Sequence, residues 1–278
     1  MYMDIDLDQH KDYALLIKTV QISPFRTLMT ALKDILIETN IVIQQSGIRI
    51  INMDKSHTIL VRLLLDAVNF EHYFCRYPKI VIGVNMFHLF KLINSIDNDD
   101  TLTLFIENEH YTEGVVKFLG MKFENGNIMQ CKTQYLRLIE PDNEEIHLPD
   151  VTFSSIINIP SSDFQKIIRD MSSLSDRLEI KCVGDELIFS LVGPFAKVQI
   201  RRSECNGNME YIQKQDSSKI IQGEFPLKYL NYFIKCTNLC NSIELMLEND
   251  LPLIVKYNVA SLGEIKLCLA SLPPSHHV

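Results

Sequence analysis

The sequence predicts an α+β protein of two similar halves, each built from two β-α-β-β-β units with antiparallel sheets and helices on one side of them. A strand, a short amphipathic helix and several further strands recur four times along the 278 residues. Strands outnumber helices and are joined mostly by tight turns, which favours antiparallel pairing. Hydrophobic residues make up 46% of the chain, which is enough to build a full core.

The first half, residues 1–139, contains the first two units. The capping residue Ser23 opens a helix at residues 23–39, in which apolar residues recur with helical spacing from Phe25. Isoleucines at strand spacing flank Gln45-Ser46-Gly47, a sequence typical of a hairpin turn. The other elements predicted here are a helix at 85–96 and strands at 14–21, 59–65, 67–75, 79–84, 101–107, 114–123 and 128–139.

Residues 140–152 are predicted to link the two halves. The stretch from Glu140 to Asp150 contains prolines and five acidic residues, and it has neither lysine nor arginine. It is therefore too polar to belong to a core and favours an extended linker. Ile146 and Leu148 lie within it at strand spacing, which suits them to anchor the linker to the body of the protein.

The second half, residues 153–278, repeats the rhythm of the first. Apolar residues recur with helical spacing from Phe164 and again from Leu227. Residues 204–218 are polar and are predicted to form a mobile loop. The other elements predicted here are helices at 161–174 and 226–238 and strands at 153–159, 177–183, 186–192, 195–203, 219–225, 242–248, 252–259 and 263–270.

The predicted helices carry basic residues on the faces opposite their apolar faces. The four helical windows hold seven basic and four acidic residues, whereas the whole chain has a net charge of −8. A basic surface on an acidic body suits diffuse attraction to phosphate groups. Basic residues on solvated helix faces are also common without any ligand. The seven residues are Arg26, Lys33, Lys91, Lys166, Arg169, Lys228 and Lys235.

The sequence lacks the motifs of common enzyme classes, since G-x-x-x-x-G-K-[ST], G-x-G-x-x-G, H-E-x-x-H and G-x-S-x-G are all absent. Seven cysteines form no C-x-x-C pair, so we expect reduced thiols that pack in the interior. Neither a metal nor a cofactor is predicted. The acidic N-terminus does not resemble a signal peptide, and no stretch has the roughly 18 apolar residues of a membrane helix.

One enzymatic interpretation stays open. His57 follows Asp54 and Ser56, and a Cys/His hydrolase would use His57 with a nearby thiol. The local Asp-x-Ser-His order lacks the spacing of a catalytic triad, and a polar histidine also suits a turn between two strands. We therefore expect a protein that is not an enzyme.

Several segments resemble one family, proliferating cell nuclear antigen, the eukaryotic sliding clamp. Ser46 to His57 reads S-G-I-R-I-I-N-M-D-K-S-H and resembles the family signature S-G-v-x-x-x-x-M-D-x-S-H. The similarity extends in order from about residue 14 to residue 271. Further segments that resemble the clamp are 31–34, 164–172, 227–235, 250–257 and 267–270.

The resemblance implies a DNA-clamp fold whose copies assemble head to tail into a closed ring, normally a homotrimer. Helices would line the hole, sheets would form the outer rim, and strands near 131–139 and 195–202 would pair between subunits. The ring would encircle duplex DNA, and the seven basic residues would contact phosphates without reading sequence. Asn94 and Ser173 stand where the family often has basic or histidine side chains, which implies weaker DNA contact.

The resemblance also implies a role in tethering a DNA polymerase, the clamp loader and repair enzymes. Partners of the family insert a Q-x-x-aliphatic-x-x-aromatic-aromatic peptide under the interdomain linker. Three residues depart from the family pattern, so the resemblance does not establish which peptides the pocket prefers. They are Cys268, Pro226 and Ser271. The pocket would contain Met53, His57, Leu60, Ile146, Leu148, Pro252 and Ala270.

Alternatives within the same fold are a subunit of a heterotrimeric checkpoint clamp and a monomeric processivity factor. A scaffold that binds only proteins and never DNA is a further alternative. The expected location is the nucleus, or a cytoplasmic replication site of a large DNA virus, and secretion is not expected.

Overall fold

The computed structural model describes residues 10–142, 146, 149, 151–216 and 218–273. The chain divides into two compact units, each assembled from three segments. Unit 1 consists of Met1–Asn52, Arg62–Glu145 and Val259–Gly263, and unit 2 of Met53–Val61, Ile146–Asn258 and Glu264–Val278.

Unit 1 contains two helices and the strands β1 to β11, with the ends of β3 and β4 grouped in unit 2. One antiparallel sheet has the strand order β11-β10-β7-β1-β5, a second segment runs β4-β3-β2-β6, and β8 pairs with β9. The helices are α1 (Ile22–Ile35) and α2 (Met86–Ile93). The strands are β1 (Tyr13–Thr19), β2 (Glu38–Gln44), β3 (Gly47–Met53), β4 (Ile59–Asp66), β5 (His72–Cys75), β6 (Lys79–Asn85), β7 (Thr101–Glu107), β8 (Tyr111–Thr112), β9 (Val115–Val116), β10 (Phe118–Asn125) and β11 (Gln130–Arg137).

The core of unit 1 joins both sheets to the helices. Alternate side chains of the strands point inward, as a half-buried strand requires. Asn85 caps helix α2, and its side-chain carbonyl accepts a hydrogen bond from the backbone N–H of His88 at 3.1 Å, the usual role of an asparagine cap. Apolar side chains from both sheets and both helices surround a cavity of about 40 Å³, among them Leu15, Phe25, Met29, Ile43, Leu89 and Leu104.

Unit 2 repeats this plan with two helices and two sheet segments. The sheet orders are β15-β14-β13-β17 and β16-β12-β18-β19-β20. Helix α4 continues as a 3₁₀ helix over Ile234–Leu239, within which Cys236 is fully buried. The helices are α3 (Ser161–Ser172) and α4 (Leu227–Phe233). The strands are β12 (Ser155–Pro160), β13 (Arg177–Val183), β14 (Glu186–Val192), β15 (Lys197–Ser203), β16 (Glu210–Gln213), β17 (Ile221–Pro226), β18 (Ser242–Leu247), β19 (Leu253–Val259) and β20 (Gly263–Leu269).

Several predicted boundaries are wrong. Residues Ala67–Asn69 form a 3₁₀ helix, so only His72–Cys75 of the strand predicted at 67–75 is extended. Helix α1 begins at Ile22, so Ser23 lies within its first turn rather than at its cap. Helix α1 ends at Ile35 rather than at residue 39, because Glu38 already pairs with Asn85 as the first residue of β2. The predicted polar loop at 204–218 contains a strand, β16, in which Tyr211 pairs with Ile157 of β12. None of the helices that the structure describes combines the length and hydropathy needed to cross a bilayer.

A charged cluster fixes the end of β18 in unit 2. The Glu248 carboxylate accepts hydrogen bonds from Lys219 Nζ at 2.7 Å and from the backbone N–H groups of Ser154 and Asn249, each at 3.0 Å. The Ser154 hydroxyl also donates to it. Burial raises the pKa of this carboxyl, but the hydrogen bonds outweigh burial and lower the pKa to about 2.

This lowered pKa predicts a pH-dependent contribution to stability. A carboxyl whose folded pKa lies below its ordinary value stabilises the fold above that ordinary value, and the contribution is lost as pH falls towards 2. Urea unfolding of the wild type and of Glu248→Gln should therefore show a larger difference in unfolding free energy at pH 7 than at pH 2.5. The exposed Glu140→Gln is the control and should show little difference at either pH. A Glu248→Gln difference that is the same at both pH values would contradict the prediction.

Candidate functional site

Unit 1 places three of the predicted basic residues on α1 and α2, which pack against each other. Lys91 is exposed, whereas Arg26 and Lys33 are half-buried. The Arg26 guanidinium donates to the side-chain carbonyl of Asn98 at 3.1 Å and to the backbone carbonyl of Ile96. Both acceptors are neutral, so they do not offset the positive charge of the guanidinium.

Lys33 departs from the expectation of an unengaged basic side chain. Its Nζ forms an ion pair with Asp34 Oδ1 at 3.0 Å, and it also lies 4.7 Å from the centroid of the Phe90 ring. The neighbouring carboxylate offsets part of the Lys33 charge. The ammonium of Lys91 is therefore the most accessible of the three predicted cations in unit 1.

Unit 2 carries the other four predicted basic residues on its contacting helical elements. Lys166 and Arg169 are exposed on α3. Asp163 of the same helix is engaged elsewhere, since its carboxylate lies 3.3 Å from the Arg202 guanidinium on β15. Lys228 of α4 and Lys235 of the following 3₁₀ helix are exposed as well.

The two helix pairs therefore present positive charge on surfaces rather than in a cavity. In each helix pair, the face opposite the basic residues is buried. The buried side chains include Phe25 and Leu32 in unit 1, and Phe164 and Leu230 in unit 2. Exposed cations on an open surface suit contact with a polyanionic backbone and lack the geometry for reading base edges.

The turn between β3 and β4 is held together by Asp54. Its carboxylate accepts hydrogen bonds from the backbone N–H groups of Thr58 and Ile59, each at 2.7 Å, and from both the N–H and the hydroxyl of Ser56. Burial raises the pKa of Asp54, but these hydrogen bonds outweigh it and the net pKa is lowered. The turn exposes His57 in a left-handed backbone conformation with φ of 53°.

Two contacts within unit 2 join this turn to α4 and to the predicted pocket residue Ala270. The Ser56 hydroxyl lies 3.0 Å from the Tyr229 hydroxyl of α4. The backbone N–H of Ala270 donates to the carbonyl of Thr58 at 3.1 Å. Since β19 and β20 are neighbours in the sheet, Pro252 before β19 and Ala270 after β20 lie at the same end of their hairpin.

The seven predicted pocket residues differ in exposure. His57, Pro252 and Ala270 are exposed, whereas Met53 and Ile146 are half-buried. Leu60 is only 9% exposed, so it supports the turn from beneath. Leu148 lies outside the described residues.

A groove of about 990 Å³ beside Ala270, lined by both polar and apolar side chains, was not anticipated from the sequence. Ser271 and Leu272 form one side of it, and the backbone N–H of Leu272 donates to the carbonyl of Glu224 on β17 at 2.7 Å. Of the three departures from the family pattern, Ser271 lines this groove, and Cys268 and Pro226 are half-buried. The groove depends on contacts distant in sequence, which no local pattern encodes.

The geometry around His57 does not resemble a catalytic triad. The Ser56 hydroxyl donates directly to the Asp54 carboxylate, so no imidazole lies between the hydroxyl and the acid. Among the described residues, one group of three potential metal ligands occurs, formed by Glu107, Glu109 and His110. Its imidazole Nδ1 lies 3.2 Å from a Glu107 carboxylate oxygen, and a hydrogen bond between the two side chains accounts for that contact.

Comparisons with known proteins cover nearly the whole chain. Residues 15–145 match the family described as proliferating cell nuclear antigen, N-terminal domain, and residues 147–272 match its C-terminal domain. A protein of Paramecium bursaria Chlorella virus 1, described as probable DNA polymerase sliding clamp 1, is 32% identical over 268 residues. The aligned region spans 92% of this chain and 96% of the viral protein.

The Asp54 contacts predict a specific consequence of Asp54→Ala. The substitution leaves the N–H groups of Ser56, Thr58 and Ile59 without their acceptor, so we expect stability to fall by about 1–3 kcal/mol. Hydrogen exchange should become faster at Thr58 and Ile59. Lys55→Ala changes an exposed residue of the same turn and should leave both measurements unchanged. Unaltered exchange in Asp54→Ala would show that the carboxylate does not hold the turn.

Proposed function

Because this chain belongs to the proliferating cell nuclear antigen family of DNA sliding clamps, we propose that three copies form a ring around duplex DNA and tether other proteins to it. The chain is a DNA sliding clamp with an α+β fold, and homotrimeric rings are typical of its family. Members of the family act as processivity factors, and we propose that this chain likewise has no catalytic activity.

The observation that best supports the DNA-binding proposal is the pairing of a buried apolar helix face with an exposed basic face in both units. We propose that Lys91, Lys166, Arg169, Lys228 and Lys235 contact phosphates, with Arg26 and Lys33 adding weaker contributions. Contacts of this kind are independent of base sequence and exchange readily between neighbouring phosphates. They therefore suit a ring that slides.

Ring closure is proposed through two strands that end their sheets. Strand β11 lies beside β10 at the end of one sheet, and β15 lies beside β14 at the end of another. Head-to-tail pairing of β11 in one copy with β15 in the next would cover two edges that otherwise invite aggregation. A heterotrimeric checkpoint clamp or a monomeric factor would leave these edges to other partners.

Light scattering of the purified protein tests ring closure. We expect one species with a mass three times the 32.1 kDa of the chain. A mass near that of a single chain at micromolar concentration would instead support a monomeric factor or a subunit that needs different partners.

The turn of Asp54 and the exposed end of the β19–β20 hairpin support a peptide-binding role. We propose that His57, Pro252 and Ala270, with the other four predicted pocket residues, receive a Q-x-x-aliphatic-x-x-aromatic-aromatic peptide. DNA polymerase, the clamp loader and repair proteins would carry such peptides. The half-buried Cys268 and Pro226 and the exposed Ser271 would set the preference among them.

The proposed location in the cell follows from the role of a sliding clamp in DNA replication. A replication clamp acts where DNA is copied, and we propose the nucleus as this location. The viral origin of the similar clamp keeps a cytoplasmic viral replication site as the alternative.

Charge reversal on the helices tests the DNA-binding proposal. In Lys91→Glu/Lys166→Glu, two attractive charges per copy become repulsive, so we expect binding to duplex DNA in low salt to weaken at least about tenfold. Polymerase stimulation on a circular template should be lost, and the mass of the ring should not change. The matched control, Lys18→Glu/Lys117→Glu, alters two exposed lysines outside the helices and should retain stimulation. Full stimulation by the helix variant would contradict a DNA-facing role.

A bulky charge at Ala270 tests the peptide site. Ala270→Arg keeps the backbone bond to Thr58 but fills the surface beside the turn. Calorimetry should show peptide affinity falling at least about tenfold, as expected when an anchoring pocket is blocked, with duplex binding intact. Ala260→Arg places the same side chain at the opposite, exposed end of the hairpin and should bind the peptide normally. Equal affinities for both variants would place the peptide elsewhere.

A further inference from the structure

Helices α1 and α2 carry two aromatic rings interleaved with two lysines. Phe87 of α2 is 47% exposed, and Lys91 Nζ lies 4.5 Å from the centroid of its ring. Phe90 is half-buried one turn further on, and Lys33 of α1 lies 4.7 Å from its centroid. We call these four residues the basic aromatic patch.

The exposed ring of Phe87 has no evident role in the fold. Helix α2 already directs Met86, Leu89 and Ile93 into the core, and Phe87 lies on the opposite side. A single exposed apolar residue needs no explanation. Phe87 differs because the ammonium group of Lys91 lies over its ring, so one surface offers both an apolar face and a positive charge. The ring offers a flat apolar face, and the ammonium group offers attraction to phosphate.

Unit 2 contains a similar combination. Lys228 lies 5.4 Å from the ring centroid of Tyr229, and Lys235 lies at the same distance from that of Tyr232. Tyr229 is already engaged with Ser56, and neither tyrosine is as exposed as Phe87. Among the phenylalanine and tyrosine rings of the two helix pairs, Phe87 is therefore the most accessible.

Aromatic rings interleaved with lysines are the usual platform for single-stranded nucleic acid, because every unpaired base has a face that can stack. In a duplex those faces are covered by neighbouring base pairs, so a surface ring cannot reach them. We propose that the basic aromatic patch binds single-stranded DNA, with an unpaired base stacked on Phe87 and its flanking phosphates near Lys91 and Lys33. This inference rests on the proposed function, since it requires DNA at this helix face.

The surrounding charges make this binding weak and salt-dependent. Asp34 is already paired with Lys33, and Asp97, Asp99 and Asp100 follow the end of α2. These carboxylates repel a polyanion and so oppose the attraction that the two ammonium groups exert on it. The patch therefore suits transient contact with a strand that emerges unpaired beside a duplex.

The absence of tryptophan from the sequence provides a direct test. Phe87→Trp introduces a single indole into the full chain, and stacking of a base on it quenches its fluorescence. Titration in low salt with single-stranded oligothymidine should quench the emission, whereas a duplex of equal length should not. No quenching by the single strand, or equal quenching by both DNAs, would overturn the proposal.

A second variant keeps the test independent of the fluorophore. Phe87→Leu retains apolar bulk without a stacking face, so affinity for the single strand should fall at least about fivefold while duplex affinity changes less than twofold. Val68→Ala, which shortens an exposed apolar side chain on the 3₁₀ turn between β4 and β5, should alter neither affinity. An equal loss of both affinities in Phe87→Leu would assign Phe87 to duplex binding. Intact duplex binding in Lys91→Glu/Lys166→Glu would instead refute the proposed function, so the two failures are distinguishable.

Discussion

The structure depends on the burial of one apolar face on each short helix. Phe25 and Leu32 of α1, Met86 of α2 and Phe164 of α3 lie almost entirely within their cores. Each such side chain contributes roughly 1.5–3 kcal/mol through removal of apolar surface from water. Because sheet packing already holds the helices in place, the side chains opposite can serve electrostatics without cost to the fold.

The turn after β3 likewise contains one residue that stabilises the fold and another that is exposed to solvent. Asp54 directs its carboxylate to the backbone N–H groups of Thr58 and Ile59 and thereby fixes the path of the chain. His57 takes the left-handed conformation that this path imposes and presents its imidazole to solvent. A left-handed non-glycine residue costs about 1–3 kcal/mol. Its place beside the proposed peptide site is consistent with a turn shaped for binding.

The helices and most strands could be predicted from the sequence because the helical period of 3.6 residues and the strand period of two are local properties of the chain. Strand β16 could not be predicted, because its residues are largely exposed and its pairing with β12 defines it. The apolar pattern of α1 continues through Leu36, and only the pairing of Glu38 with Asn85 ends the helix earlier. The seven basic residues could likewise be found by periodicity. The acceptors of Arg26 lie some 70 residues away, beyond the reach of any local pattern.

The anchoring of Arg26 has a consequence for translocation along a polyanion. A lysine tail can follow a moving phosphate and release it, although it loses up to about 2 kcal/mol of side-chain entropy when it is held still. The Arg26 guanidinium is already held by Ile96 and Asn98, so its charge stays at one point in space. If Arg26 faces DNA as we propose, each copy of the chain contributes a positive charge at a fixed position, whereas the exposed lysines can follow the phosphates. Friction along the DNA would then depend on the number of fixed charges more than on the total charge.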